Sequence, residues 1–288
     1  MKVTFNLHKA QANMKIQTVS YKNNSIFCSV RTKRVVEKEQ YVPDHALIHI
    51  LAGKIDIIEA DSRSTFICGD TFFVRRNSLV KFIKFPPDNG EPFKALSIFI
   101  KRPFLQDYYA KNYSDVAIAN HTNADVRIKK VASTPLIQGL FATLYPYFNS
   151  GMAFSKELME IKTREAILIL MQVDLSLQHC LFNFAEPGKI DLEEFMCKNF
   201  MFNVPLETFS KMTGRSLSTF KRDFERIFNS SPSRWLKKKR LEHAHYLIKE
   251  KHKTPSDVYL EVGFENLSHF SSSFKEAYGY NPSALFDP

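Results

Sequence analysis

The 288-residue chain has 44% hydrophobic and 24% charged residues, a balance that fits folded globular domains and excludes wholesale disorder. Forty Lys+Arg against thirty Asp+Glu give a net charge of +10, which favours a polyanionic partner. No window is apolar for the roughly 18 residues a membrane helix needs, and the length points to two domains.

The opening segment, MKVTFNLHKAQANMKIQ, lacks a basic cap followed by an apolar core, so no secretory leader is expected and the cytoplasm is the expected compartment. Cys28, Cys68, Cys180 and Cys197 lie apart, with no C-x-x-C and no His at zinc-finger spacing; four buried, reduced thiols are expected. From about Tyr21 to Ile100 the runs ALIHILAG, KIDIIEA, STFICGDTFFVRRN and FKALSIFIK have strand length and alternating character. Gly53, Gly69-Asp70 and the PPDNG turn at 86–90 separate them, which predicts a small barrel or jelly roll.

Helical spacing follows over Pro135–Phe148 and Lys156–Phe182. Pro146 is expected to end or kink the first helix, with Asn149-Ser150-Gly151 as the turn of a hairpin that packs on a partner. Glu186-Pro187-Gly188 then marks a boundary, beyond which the pattern is one of short helices.

The most specific feature is an internal repeat. Phe220, Phe224, Phe228, Pro232 and Ser233 recur fifty residues later as Phe270, Phe274, Tyr278, Pro282 and Ser283, and Ser218 recurs as Ser268. Gly214 and Gly263 precede the repeated helices. Each unit reads as helix, Gly-bearing turn, helix: Leu206–Thr213 into Leu217–Phe228, then Ser256–Val262 into Asn266–Tyr278. This is the order of a helix-turn-helix, whose second helix can enter a major groove. Between the units Ser233–Glu250 keeps one helical stripe and would span about 27 Å at about 1.5 Å per residue. That is near the roughly 34 Å between major-groove segments on one face of DNA.

Charge concentrates on this region. From Lys211 to Arg240 ten basic residues face only Asp223 and Glu225, a footprint suited to phosphates. With Phe220 and Phe224 turned inward, Ser218, Lys221, Arg222 and Glu225 are expected to point outward.

The C-terminal hundred residues closely resemble the AraC/XylS family of bacterial transcription regulators. The resemblance is carried by Thr213-Gly214-Arg215-Ser216, Phe220-x-x-x-Phe224 and Ser231-Pro232-x-x-Trp235-Leu236-x-x-x-Arg240-Leu241-x-x-Ala244. The second half adds Asp257-Val258, Val262-Gly263-Phe264-Glu265-Asn266, Ser268-His269-Phe270, Phe274-Lys275, Gly279 and Pro282-Ser283. It implies promoter DNA as partner, RNA polymerase as a second one, and action as an activator. By position it implies base or backbone contacts from Ser218, Lys221 and Arg222 in the first reading helix. Leu267, Ser268, His269 and Ser272 hold those places in the second, with Lys237 near phosphate. Arg240 is assigned an internal salt bridge. Tyr259 and Ser272 depart from the family, which often has Ala and a basic residue there.

Val42-Pro43-Asp44-His45, Ile50-Leu51-Ala52-Gly53-Lys54 and Gly69-Asp70 resemble the family's cupin-like sensor domain, over roughly residues 20–105. The implied architecture is α+β and multidomain. A cupin-like barrel or jelly roll (1–132) is followed by a helical dimerisation segment (133–186) and an all-α DNA-binding domain (187–288). That domain holds helix-turn-helix units near 206–228 and 256–278 and a linker helix over 233–250.

His45 and His49 share a strand face and stand as candidate effector contacts; the partner Glu and later His of a metal cupin are not evident, so no metal and no cofactor are expected. Arg31, Arg75, Arg76 and Lys81 could line an anionic pocket, although outward-facing basic residues are the default. A small molecule or a partner protein could be the effector. The competing reading is an enzyme, either a metal cupin or a DNA-repair alkyltransferase fused to the DNA module. None of the four cysteines has the activated setting the latter needs.

Overall fold

The computed structural model describes residues 14–21, 24–38, 40–113, 127–150 and 155–285. Strands come first in the chain: β1 (Met14–Tyr21), β2 (Asn24–Arg31), β3 (Val35–Val36), β4 (Tyr41–Val42), β5 (His45–Ala52) and β6 (Lys54–Ile58). They continue as β7 (Arg63–Ile67), β8 (Thr71–Val74), β9 (Ser78–Leu79), β10 (Lys81–Phe85) and β11 (Phe93–Ile100). After α1 (Arg102–Asn112), β12 (Ile128–Val131) returns to the sheet. The large sheet has the order β1-β2-β11-β5-β8-β12 and faces a smaller one ordered β3-β10-β6-β7, with every pairing antiparallel.

The two-residue alternation sorts the large sheet's side chains cleanly. Ile48, Ile50, Phe72, Val74 and Ala95 point between the sheets and pack with Ile55, Ile57 and Phe66. Leu47, Phe73, Leu96, Ile98 and Ile100 point the other way, under a helical layer. That layer consists of α1, α2 (Pro135–Ser150), α3 (Lys156–Val173) and α4 (Leu175–Leu181). Gly53 turns β5 into β6 at φ 83°, and an added Cβ would meet the Phe85 carbonyl oxygen at 2.3 Å.

Of the helical expectations, the one for Pro146 is narrowed and the one for Lys156–Phe182 is corrected. Helix α2 runs through Pro146 rather than stopping at it. The acceptor that a proline at 146 leaves without its donor is the carbonyl of Ala142, an exposed residue, where water can serve it. Ile137, Leu140, Phe141, Leu144 and Phe148 meanwhile continue the buried stripe past it. Asn149 and Ser150 belong to this helix, while Gly151 lies outside the described residues. The run Lys156–Phe182 is two helices. Asp174 takes an extended conformation (φ −153°), accepts a hydrogen bond from the Ser176 amide and so caps the second one. Lys129 of β12 holds that carboxylate at 2.5 Å.

The C-terminal part is all helical: α5 (Leu192–Asn199), α6 (Leu206–Met212), α7 (Leu217–Phe228), α8 (Pro232–Lys249), α9 (Pro255–Glu261), α10 (Leu267–Tyr278) and a final 3-10 turn at Pro282–Leu285. Its core divides in two. Met196, Phe209, Phe220, Phe224, Trp235 and Leu236 form one cluster, whereas Leu241, Leu247, Val258, Phe264, Phe270 and Phe274 form the other. Helix α8 supplies its first half to one cluster and its second half to the next, so it is a structural member of both units.

Gly214 enters α7's turn at φ 63°, where a Cβ would lie 2.4 Å from the Gly188 carbonyl oxygen. Gly214→Ala is therefore expected to cost about 2 kcal/mol or more, from left-handed strain and a backbone clash together. Chemical denaturation of the two proteins measures it; a loss under about 0.5 kcal/mol would contradict the assignment.

The barrel and the helical part are joined by specific contacts. Lys81, buried, donates from Nζ to the carbonyls of Glu261 (2.5 Å) and Leu260 (3.4 Å) at the end of α9. Burial, reinforced by Arg240, pushes its ammonium down to about 7. Gln40 accepts from the Asn203 amide at 2.8 Å, and Leu79 enters the first helical cluster.

Candidate nucleic-acid interface

Helices α7 and α10 repeat in full, each twelve residues long and fifty apart. The repeat extends to their caps. Ser216 and Asn266 accept from the third helical amides, those of Thr219 and His269. At the other ends Asn229 (φ 48°) and Gly279 (φ 83°) take the left-handed conformation that terminates a helix. Phe220 and Phe224 on α7, and Phe270 and Phe274 on α10, are fully buried. Each fully buried Phe adds about 1.5–3 kcal/mol of apolar burial that fixes the helix's rotation.

That rotation decides what faces outward. Ser218, Lys221, Arg222, Glu225 and Arg226 are exposed on α7, and Leu267, Ser268, His269, Ser272 and Lys275 on α10. The Arg222 guanidinium is 76% exposed, with Nε 3.8 Å from Asp223 Oδ1. An adjoining arginine behaves differently. Arg215 is held inside by Asp223 Oδ2 (3.2 Å) and by the carbonyls of Ile190 and Thr213, so it locks the turn to α7 instead of reaching outward.

The second helix carries less charge. Ser272 Oγ donates to its own helix at the His269 carbonyl (3.2 Å), and the His269 ring lies 5.6 Å from that of Phe264. Lys237 on α8 is paired with Glu276 of α10 at 2.8 Å, so a phosphate contact from it competes with an exposed ion pair. Lys238 and Lys239 both lie near Glu242, at 3.9 and 3.2 Å.

Arg240 is structural, but among the described residues it makes no salt bridge. Its guanidinium donates to the carbonyls of Phe200, Phe202 and Gly263 at 2.8 to 3.0 Å, and burial pushes it down to about 10. The planar fork serves chain ends that carry no side-chain acceptor, which a sequence search for a carboxylate partner overlooks.

The candidate effector residues also need correction. His45 and His49 lie on the face of β5 that carries Leu47, towards the helical layer, and neither lines the cavity between the sheets. His45 is fully buried, accepts from the Arg76 amide at 3.2 Å and stacks on Phe73. Burial, then Arg76 and Arg75, push its ring down to about 3. His49 stacks on Phe141 and shares a 2.8 Å hydrogen bond with Thr71 Oγ1; burial lowers its ring against an opposing pull from Asp70. Among the described residues no group of three His, Cys, Asp or Glu is placed to hold a metal.

The cavity between the sheets, of about 290 Å³, is lined instead by Ser29, Arg31, Glu37, Tyr41, Phe82 and Lys84 among apolar neighbours. Glu37 accepts from Arg31 (2.6 Å) and Lys84 (2.7 Å). Burial raises its carboxyl, but the charges and hydrogen bonds of Lys84 and Arg31 outweigh that and hold it below the ordinary value. Among the described residues, buried Arg31 Nε finds no hydrogen-bond partner. Arg31 thus breaks the expectation that barrel arginines face outward, as does Lys81 at the helical interface. The available signal was polar residues at inward positions of alternating strands. The expectation of four buried thiols fails as well, since Cys68 and Cys197 are exposed.

Comparison with known proteins adds to this geometry. Residues 209–287 match the model of a helix-turn-helix domain, and residues 45–178 match that of the ExsA N-terminal regulatory domain; together they take in most of the chain. The HTH-type transcriptional regulator ExsA of Pseudomonas aeruginosa is 26% identical over 249 residues, 81% of this chain and 83% of that one. The chain belongs to the AraC/XylS family of transcription regulators. The virulence regulon transcriptional activator VirF of Yersinia enterocolitica is 25% identical over 260 residues, 87% of this regulator and 90% of VirF. Among solved structures, a probable AraC family regulator from Rhodopseudomonas palustris is 31% identical over 33% of the chain and 90% of its own, with a TM-score of 0.30. ToxT from Vibrio cholerae is 14% identical, with 92% and 98% covered and a TM-score of 0.43. This AraC/XylS member is a DNA-binding transcription regulator.

Proposed function

We propose that this regulator activates transcription from promoter DNA by laying α7 and α10 in successive major grooves, and that an effector acting on the barrel controls it. In this reading residues 1–132 sense, 133–186 dimerise and 187–288 bind DNA. One observation carries it: two equally capped twelve-residue helices, with apolar faces buried and polar first turns exposed, hang from the two ends of one helix. Lys221 and Arg222 supply base and phosphate contacts with Ser218. Ser268, His269 and Ser272 read or position in the second groove, more weakly because that face is nearly neutral. Lys237 reaches phosphate once Glu276 is displaced. A footprint of the protein on its own chromosome tests this; paired protected segments about one helical turn apart are expected, and a single isolated segment would overturn it.

The effector site favoured here is the cavity around Arg31 and Lys84, with a small molecule or a partner protein as the agent. RNA polymerase is the second partner, and the cytoplasm the compartment. A homodimer is supported by Leu136 on α2, Ile161 and Leu168 on α3, and Leu175 on α4, which are 48 to 73% exposed. Ile161 and Leu168 stand seven residues apart, on one helix face. The double variant Ile161→Glu/Leu168→Glu is expected to sediment as a monomer where the parent is a dimer; an unchanged sedimentation coefficient would move the interface elsewhere.

A further inference from the structure

A second cavity, of about 360 Å³, opens between the barrel and the first helix-turn-helix unit. It shares no residue with the cavity between the sheets, and none of the outward positions on α7 or α10 lines it. Four parts of the chain form its walls: the segment from the loop after β8 into β9, Arg127 just before β12, the connector around Glu186-Pro187, and helices α5 and α6 through Phe195 and Met212.

Its charge is one-sided. Arg75, Arg76 and Arg127 all line it, whereas the one lining carboxylate, Glu186, is engaged by Arg102. Arg76 is pinned to the connector, with Nη2 donating to the carbonyls of Asn183 (3.0 Å) and Ala185 (2.8 Å). Burial lowers its guanidinium, and the nearby charges of Arg102 and Arg75 lower it further. Leu79, Ile190, Phe195 and Met212 supply apolar lining beside these charges.

We infer that this cleft binds a small organic anion, a carboxylate or phosphate group on a compact apolar body. Guanidinium groups grip such oxygens with paired donors, and the enclosed volume falls at the lower end of small-molecule sites. Because the occupant touches barrel, connector and α5–α6 at once, it clamps the first reading unit to the sensor. The site is independent of the DNA reading and is tested without DNA.

Phenyl phosphate and benzoate, with benzyl alcohol as the neutral control, are titrated calorimetrically into the full-length protein. Saturable binding of at least one of the two anions, and none of the alcohol, is expected; the stronger anion identifies the head group. Arg127→Glu, at an exposed position, should weaken it about tenfold or more. Ile190→Trp should abolish it by filling the apolar side, with no change in charge. Bound anion should also slow proteolysis within 183–190. Absence of saturation by either anion, equal binding of the alcohol, or wild-type affinity in either variant would overturn the site. Binding with unchanged proteolysis would overturn the clamp.

Discussion

The double variant Lys221→Ala/Arg222→Ala is expected to bind its promoter site about a hundredfold more weakly than the parent. Each base or phosphate contact from such a side chain is worth about 1–3 kcal/mol, so two together cost about 3 kcal/mol after partial compensation. Both side chains are exposed, and their removal should leave the melting transition within about 0.5 kcal/mol of the parent. Fluorescence anisotropy at about 0.15 M salt measures the affinity, and a salt titration should show a shallower slope because fewer counterions are released. Parental affinity in the double variant would remove α7 from the interface.

Trp235→Ala should do the reverse, with a loss of about 3–5 kcal/mol in stability before any contact with DNA is considered. The indole is 8% exposed and packs on Phe224 and Phe228, with ring centres 5.5 and 4.6 Å away. It joins α8 to α7, so its loss opens a cavity at the joint that sets the angle of the first reading helix. Urea unfolding followed by circular dichroism measures the change. A loss under about 1 kcal/mol would mean that the joint repacks freely and that α8 does not fix α7.

These two variants divide the roles of one short stretch, and the division was readable in the chain. Phe220, Phe224 and their counterparts at 270 and 274 repeat at helical spacing, which dictates which face is buried and therefore which is left outward. The first of these helices has the ends read from the sequence, Leu217 and Phe228, whereas Asn266, read as the first residue of the second, is its cap. Local periodicity sufficed there because each reading helix is held by its own near neighbours in sequence.

Elsewhere periodicity was insufficient. Asp174 splits one apparent helix into two because its carboxylate meets Lys129 from a distant strand. Pro146 sits inside a helix because packing on the sheet outweighs one missing hydrogen bond. Arg240 caps carbonyls from Phe200, Phe202 and Gly263, and main-chain acceptors leave no trace in residue identity.

What the amino-acid order determined alone was the duplicated helix-turn-helix module, the basic stretch over 211–240 and the alternating barrel strands, all patterns local to the chain. Only the tertiary structure decided that His45 and His49 turn away from the barrel cavity, that Arg31 and Lys84 turn into it, and that three arginines gather at the cleft beside α5 and α6. Those placements depend on which sheet face a helical layer covers and on where two domains meet, and both are set by long-range packing that alternation along one strand does not encode.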